Sequence, residues 1–196
     1  MFDLWAEGAL VFDREKARRV IAKHYPDWVG PVPPGEDAEL ALASLAVGWA
    51  LASLNEVRGF LHDAGARRDG EKVRMWIGFH DPNVSVAAMR LALRAVLGAG
   101  QDALDPASIA SELDSLWQAC RNHHPDFQAR ILMGGARTAG IPVLPFVPGT
   151  KFWQYGWGKR SRAFMETMSN GDGQLGAQWQ HNKATAKSPF ALLGVP

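Results

Sequence analysis

Residues 73–98 constrain the fold more than any other part of the chain. They open with VRMWIGF, in which apolar side chains recur with a period of two, as in a strand with one buried face. Asp81 or Asn83 can then cap a helix, with Pro82 in its first turn. The passage therefore predicts a strand that runs directly into a helix. The apolar positions of the two elements are Val73, Met75, Ile77 and Phe79, then Val84, Ala88, Leu91 and Ala95.

Helical periodicity predicts four further helices, at residues 12–25, at residues 38–54, from Asp105 onward, and at residues 127–139. Cys120 shares one face of the third helix with apolar residues and is predicted to be buried. Gly140 ends the last helix, and the IPVLPF that follows predicts a short strand leading into KFWQYGW. These elements predict an α+β fold, a small sheet flanked by helices.

The composition narrows the class of protein. The chain has 196 residues, of which 47% are hydrophobic, enough for a core of its own and for two domains at most. Its longest apolar stretch, residues 40–54, is shorter than the roughly 20 residues of a membrane span, and Asp3 and Glu7 stand where a signal peptide carries cations. A single cysteine excludes an internal disulfide, and a net charge of +1 creates no field that recruits nucleic acid. We expect a cytoplasmic protein that binds neither membranes nor nucleic acid.

The segment FWQYGWGKRSRAFMETMSNGDGQLG, residues 152–176, combines aromatic, cationic and glycine residues. Gly156 and Gly158 would allow another backbone or a ligand to approach closely. Ser169 and Asn170 add hydroxyl, amide and backbone N–H donors, so this segment offers groups that suit an anion. The alternative is that its aromatic residues are core and its cations a solvated edge. Three aromatic residues are predicted on one strand face and three cations after them: Trp153, Tyr155 and Trp157, then Lys159, Arg160 and Arg162.

Several motifs in order carry a family resemblance. ARILMGGARTAGIPVLPFVPGTKFWQYGWGKRSRAF, a polar strip, and NKATAKSPFALLGVP resemble the region of cyanophycin synthetases and related peptide ligases that leads into their ATP-grasp domain. Upstream, ALASLAVGWALASLNEVRGF and VRMWIGFHDPNVSVAAMRLALRAVLGA resemble the N-terminal domain of that family. The resemblance implies that residues 1–147 form an α+β accessory domain and that residues 148–196 open an ATP-grasp domain.

The resemblance also implies a function, in which the substrate is bound by Lys159, Arg160, Arg162, Ser169 and Asn170. The chain would be the substrate-binding N-terminal part of a ligase that joins a carboxylate to an amine, with a peptide or amino-acid substrate, a downstream ATP-grasp partner domain and a possible homo-oligomer. ATP and magnesium would act in the full-length ligase, because the family's nucleotide and metal ligands follow the Gly-Val-Pro at which this chain ends. None is expected in this chain, to which no catalytic residue is assigned. The alternative is a stand-alone peptide-binding or scaffold protein without ligase activity.

Two positions depart from the family pattern. Asp172 stands where a hydroxyl is expected, which puts anion binding by the strip in doubt. Pro189 interrupts NKATAKSPFALL, so this helix is expected to restart at Ser188.

Three pairs of residues offer metal-ligand chemistry: His62 with Asp63, His80 with Asp81, and His123 with His124. Their spacing matches no metal-binding motif such as HExxH, so they are predicted to be structural. A hydrolase that uses these pairs is a minor alternative.

Overall fold

The computed structural model describes residues 1–4, 10–28, 37–147, 149–173 and 187. These contain α-helices α1 to α5, strands β1 to β7 and two short 3₁₀ turns. In chain order the helices and strands are β1 (Phe2–Leu4), α1 (Arg14–His24), α2 (Ala38–Glu56), β2 (Ala64–Asp69), β3 (Lys72–Ile77), α3 (Pro82–Gly100), α4 (Pro106–His123), α5 (Phe127–Thr138), β4 (Val143–Val147), β5 (Phe152–Tyr155), β6 (Arg162–Met165) and β7 (Met168–Ser169). The 3₁₀ turns are Pro26–Trp28 and Gly158–Arg160.

The first sheet has the order β1-β3-β2, with β3 antiparallel to both neighbours. The predicted strand is confirmed, since Val73, Met75 and Ile77 are buried. Phe79 lies beyond the strand end and is 44% exposed, so the alternation stops one position earlier than expected. β1 and β2 add two strands that were not predicted.

Aspartates at the helix starts fix where the helices begin. The Asp81 carboxylate accepts hydrogen bonds from the backbone N–H groups of Asn83 and Val84, and Pro82 follows at the first helical position, as predicted. Asp105 caps α4 in the same way. Asp81 and Pro82 therefore set where α3 begins.

The main core lies between the first sheet and four helices. α2 packs on α3, β2 and β3, while α1 and α4 pack on α3. Cys120 is fully buried, as expected from its helical face. Among the described residues α2 is long and apolar enough to cross a membrane by length and composition, and 56% of its apolar window is buried in the fold. A central core helix has this same character.

The second sheet has the order β4-β5-β6-β7 and is antiparallel throughout. β4 confirms the strand predicted from IPVLPF, and a register shift lies between Pro145 and Val147. The chain is thus α+β with two small antiparallel sheets rather than one. The predicted domain boundary between 147 and 148 falls between β4 and β5, so this sheet takes strands from both sides of it. The predicted restart of a helix at Ser188 lies outside the described residues.

Candidate functional site

The cationic turn comprises Lys159, Arg160 and Arg162, at the connection between β5 and β6. All three residues are exposed. No ion pair joins them to any residue in the described part of the chain, although the Arg162 guanidinium donates to the Ser161 carbonyl at 3.0 Å. Three positive charges are therefore held together at one end of the second sheet.

Backbone conformation shapes this turn. Gly156 and Gly158 have φ of 79° and 59°, in the left-handed region that glycine adopts without steric cost. A Cβ at Gly158 would meet no described atom within 4 Å, and at Gly156 it would make only ordinary contacts at 3.9 Å. The glycines are therefore required by φ, not by the close packing of another backbone segment. The Ser161 hydroxyl closes the turn by donating to the Gly158 carbonyl at 2.8 Å.

Two of the three aromatic residues before the turn share a face, as predicted. Trp153 is 1% exposed and packs with Ala129 and Met133 of α5, while Tyr155 is half-buried beside this cluster. Trp157 lies beyond the end of β5 and is 65% exposed, because the left-handed residue at 156 ends the strand alternation. Trp153 is thus a core residue, Tyr155 is partly buried and Trp157 is exposed.

The polar strip that contains Ser169 and Asn170 forms a tight turn after β7. Its N–H groups are engaged within the chain: that of Ser169 donates to the Asp172 carboxylate at 2.6 Å, and that of Asn170 to the Ala163 carbonyl at 2.9 Å. The Gly171 N–H donates to the Ser169 hydroxyl at 3.2 Å. Asp172 thus occupies the acceptor position that a bound anion would take at Ser169. Asn170 is exposed.

A cleft of about 530 Å³ lies between the end of β3 and the segment that joins α5 to β4. Leu61, Met133 and Trp153 are buried residues in its lining. Pro142 lines it too, and its carbonyl accepts a hydrogen bond from the Gly156 N–H at 2.8 Å. The backbone that leads into the cationic turn is therefore hydrogen-bonded to the wall of the cleft.

The loop between α2 and β2 forms another wall of the cleft. The Asn55 side chain holds the loop by donating to the Leu61 carbonyl and accepting from the Leu61 N–H, both at 2.9 Å. Arg58 and Phe60 have φ of 58° and 51°, a left-handed conformation that is costly for residues with a side chain. Contacts with the rest of the protein therefore stabilise a loop conformation that Arg58 and Phe60 do not favour on their own.

Buried histidines satisfy two carbonyls of that loop. His80 Nε2 donates to the Gly59 carbonyl at 2.5 Å, and His124 Nδ1 donates to the Val57 carbonyl at 2.7 Å. The Trp153 indole N–H donates to His80 Nδ1 at 3.2 Å, which joins the second sheet to the end of β3. Burial lowers the pKa of His80 to about 4; the hydrogen bond to Gly59 acts in the opposite direction, and His124 lowers the pKa further. Both nitrogens of the neutral His80 ring are therefore in use.

Ion pairs fix the second sheet to the start of α5. The Lys151 ammonium lies 3.0 Å and the Arg58 guanidinium 2.6 Å from Asp126 Oδ1. Glu166 accepts a hydrogen bond from the Asp126 backbone N–H at 3.0 Å. Burial and the charge of Glu166 raise the pKa of Tyr155 to about 12. The strands that carry the cationic turn are thus attached to the body of the protein at several points.

The structure brings together residues from different predicted His and Asp pairs. His80 faces His124 with ring centroids 5.3 Å apart, and the Asp81 carboxylate lies 3.9 Å from His123 Nδ1. His62 lines the cleft and contacts Phe60 edge to face. Within the residues that the structure describes, no group of three or more His, Cys, Asp or Glu side chains is placed to hold a metal ion.

Sequence patterns did not single out Arg137, an exposed cation in the last turn of α5 that lines the cleft. Cations are common at helix C-termini, so its position gave no signal. Its neighbours in the cleft come from β3, β4 and the α2–β2 loop. Only the tertiary structure brings them together.

No protein-family model matches the chain, and no curated protein matches it. The function of the cationic turn and the cleft is therefore inferred from their own chemistry.

Proposed function

We propose that this chain binds the peptide or amino-acid polymer substrate of an ATP-dependent carboxylate–amine ligase similar to cyanophycin synthetase. The observation that carries the proposal is the cationic turn, three exposed positive charges without ion-pair partners among the described residues. Residues 151–196 contain six Lys and Arg against two Asp and Glu, so the surrounding sequence strengthens the positive field. The bound group is therefore an anion.

Carboxylates are the anions that suit these side chains. Arginine presents a planar fork of donors that matches a carboxylate, while lysine supplies a compact and mobile charge. The turn is held by Gly156, Gly158 and Ser161, so ligand binding orders little additional backbone. A peptide with acidic side chains, or with a free carboxyl end, satisfies these donors.

The reaction class follows from the resemblance to the ligase family. In such a ligase, ATP activates a carboxylate as an acyl phosphate and an amine then attacks it. We place ATP and magnesium in the full-length ligase, with residues 148–196 opening its ATP-grasp domain and residues 1–147 as the accessory part. The role of this chain is to hold a negatively charged substrate near that centre.

A second candidate is a stand-alone peptide-binding protein. It is favoured by the contacts that hold the second sheet. The hydrogen bond between Trp153 and His80 and the ion pair between Lys151 and Asp126 both join described residues, so neither contact needs a further domain. The gene decides between the two candidates. An open reading frame that continues past Pro196 supports the ligase, and a stop codon at that point supports the stand-alone protein.

Binding is tested by calorimetric titration of the chain with tetra-aspartate, with tetra-asparagine as the uncharged control ligand. Arg160→Ala and Arg162→Ala should each weaken tetra-aspartate binding about two- to fivefold, because an exposed ion pair contributes up to about 1 kcal/mol. Arg160→Lys and Arg162→Lys should weaken binding less than the alanine variants, since the positive charge remains and only the forked guanidinium is lost. The matched control, Arg90→Ala, removes one exposed arginine from α3.

The outcomes separate binding from a structural role. Unchanged Tm with weakened binding in the double alanine variant supports the proposal. Unchanged Tm with unchanged binding refutes it, and so does equal binding of tetra-asparagine. A Tm that falls by many degrees identifies the arginines as structural.

A further inference from the structure

The cleft is a second candidate site, distinct from the cationic turn. We propose that it binds a free α-amino acid with a large apolar side chain, whose carboxylate pairs with Arg137 and whose ammonium pairs with Asp63. The side chain of the ligand would lie on the apolar floor of the cleft. This inference stands on the cleft alone and holds whether or not the cationic turn binds a peptide.

The size and the lining of the cleft suit such a ligand. Its volume of about 530 Å³ lies within the range of about 300–1,000 Å³ that is common for small-molecule sites. Buried side chains form the floor, and large apolar side chains stay exposed at the walls, which ligand binding would remove from water. The floor includes Leu61, Ile77 and Met133, and the walls Trp76, Phe79 and Ile141.

Two opposite charges line the same cleft without neutralising each other. Arg137 extends from the last turn of α5, and Asp63 immediately precedes β2. Neither forms an ion pair with the other or with any residue in the described ranges. Both charges nevertheless act on His62: burial and Arg137 lower its pKa, whereas Asp63 raises it. The two charges therefore flank one imidazole at the cleft.

This arrangement is complementary to an amino-acid zwitterion. A ligand with only a carboxylate would leave Asp63 without a partner, and one with only an ammonium would leave Arg137 without a partner. Because His62 is kept in its neutral form, it adds no third charge to the site. Both charges of the cleft are therefore paired only by a ligand that carries a carboxylate and an ammonium. The apolar floor favours a ligand with a large side chain, because the removal of apolar surface from water stabilises the complex.

Calorimetric titration of the full chain tests the ligand class. L-leucine and L-phenylalanine should bind, while glycine should bind at least tenfold more weakly because it buries no side chain. N-acetyl-L-leucine and L-leucinamide should bind about two- to fivefold more weakly than L-leucine, since each lacks one of the two charges. Equal binding of glycine, of the acetylated ligand or of the amide would overturn the assignment, as would the absence of binding by both amino acids.

Variants test the residues. Arg137→Gln and Asp63→Asn should each weaken L-leucine binding about two- to fivefold, as expected for the loss of one exposed ion pair. Little change in Tm is expected, because both side chains are exposed. Arg121→Gln, which changes an exposed arginine of α4, is the matched control and should bind as wild type does. Unchanged binding in both cleft variants refutes the proposal. Arg160→Ala should leave L-leucine binding unchanged, so failure of this site and failure of the cationic turn are measured separately.

Discussion

Acid should destabilise this protein through the buried ring of His80. The ring is 8% exposed, and both of its nitrogens are engaged while it is neutral. A proton on Nδ1 would meet the Trp153 indole N–H, so two donors would face each other inside the protein. Burial accordingly lowers the pKa of His80 to about 4, against an ordinary value of 6.5.

The magnitude follows from the difference between these two values. Between pH 6.5 and about 4 the unfolded chain holds a proton that the folded protein does not, so the free energy of unfolding falls by about 1.4 kcal/mol per pH unit. The contribution of His80 is complete above pH 6.5 and is lost as the pH falls. The loss amounts to about 2 kcal/mol at pH 5 and about 3 kcal/mol near pH 4. His124 acts in the same direction, since burial lowers its pKa too. The Arg68 guanidinium lowers the pKa of Asp37, so the stability that this carboxylate contributes is lost mainly below its ordinary pKa of 3.8.

The assay is urea unfolding followed by tryptophan fluorescence at pH steps from 7.5 to 4.5. His80→Gln keeps a polar side chain but cannot titrate, so its free energy of unfolding should fall less steeply with decreasing pH, although it starts lower because the histidine hydrogen bonds are altered. His24→Gln removes an exposed imidazole from the end of α1 and is the matched control. The same pH slope in wild type and His80→Gln would refute the reasoning.

Other predictions follow from single contacts. Cys120, fully buried and with a pKa raised to about 12 by burial, should react with a thiol reagent only at the rate of unfolding; fast modification of the native protein would contradict its position. Gly65→Ala should displace the Trp76 indole, because a Cβ would lie 2.4 Å from Trp76 Cζ2. This variant should bind L-leucine more weakly by calorimetry, with little change in Tm because Trp76 is 37% exposed. Raising NaCl from about 0.05 to 0.5 M should weaken tetra-aspartate binding at the cationic turn severalfold, whereas a salt-independent Kd would contradict an electrostatic site.

Local signals in the sequence predicted the elements whose hydrogen bonds and caps are local. The passage from β3 to α3 was predicted because alternation, the Asp81 cap and Pro82 agree on one boundary. The burial of Cys120 was predicted because one helical face was apolar over about three turns. At these positions the local sequence preferences and the tertiary contacts favour the same conformation.

The remaining features depend on contacts between distant segments. β1 has three residues and pairs with β3 across some seventy positions, which no local pattern encodes. β2, with the sequence AGARRD, lacks the alternation of apolar residues that marks a strand. The left-handed conformations of Arg58 and Phe60 are imposed by Asn55 and by buried histidines. The cleft could not be predicted for the same reason, since its charges come from α5 and from the α2–β2 loop.

The hydrogen bond between Trp153 and His80 limits where the protein can be shortened. A fragment that stops at Val147 would keep β4 but remove β5, the neighbour with which β4 pairs. It would also uncover Met133 and leave the buried His80 Nδ1 without its donor. An unpaired strand with exposed apolar side chains favours aggregation. A fragment that retains both sheets therefore has to extend at least to Ser169, the last residue of β7.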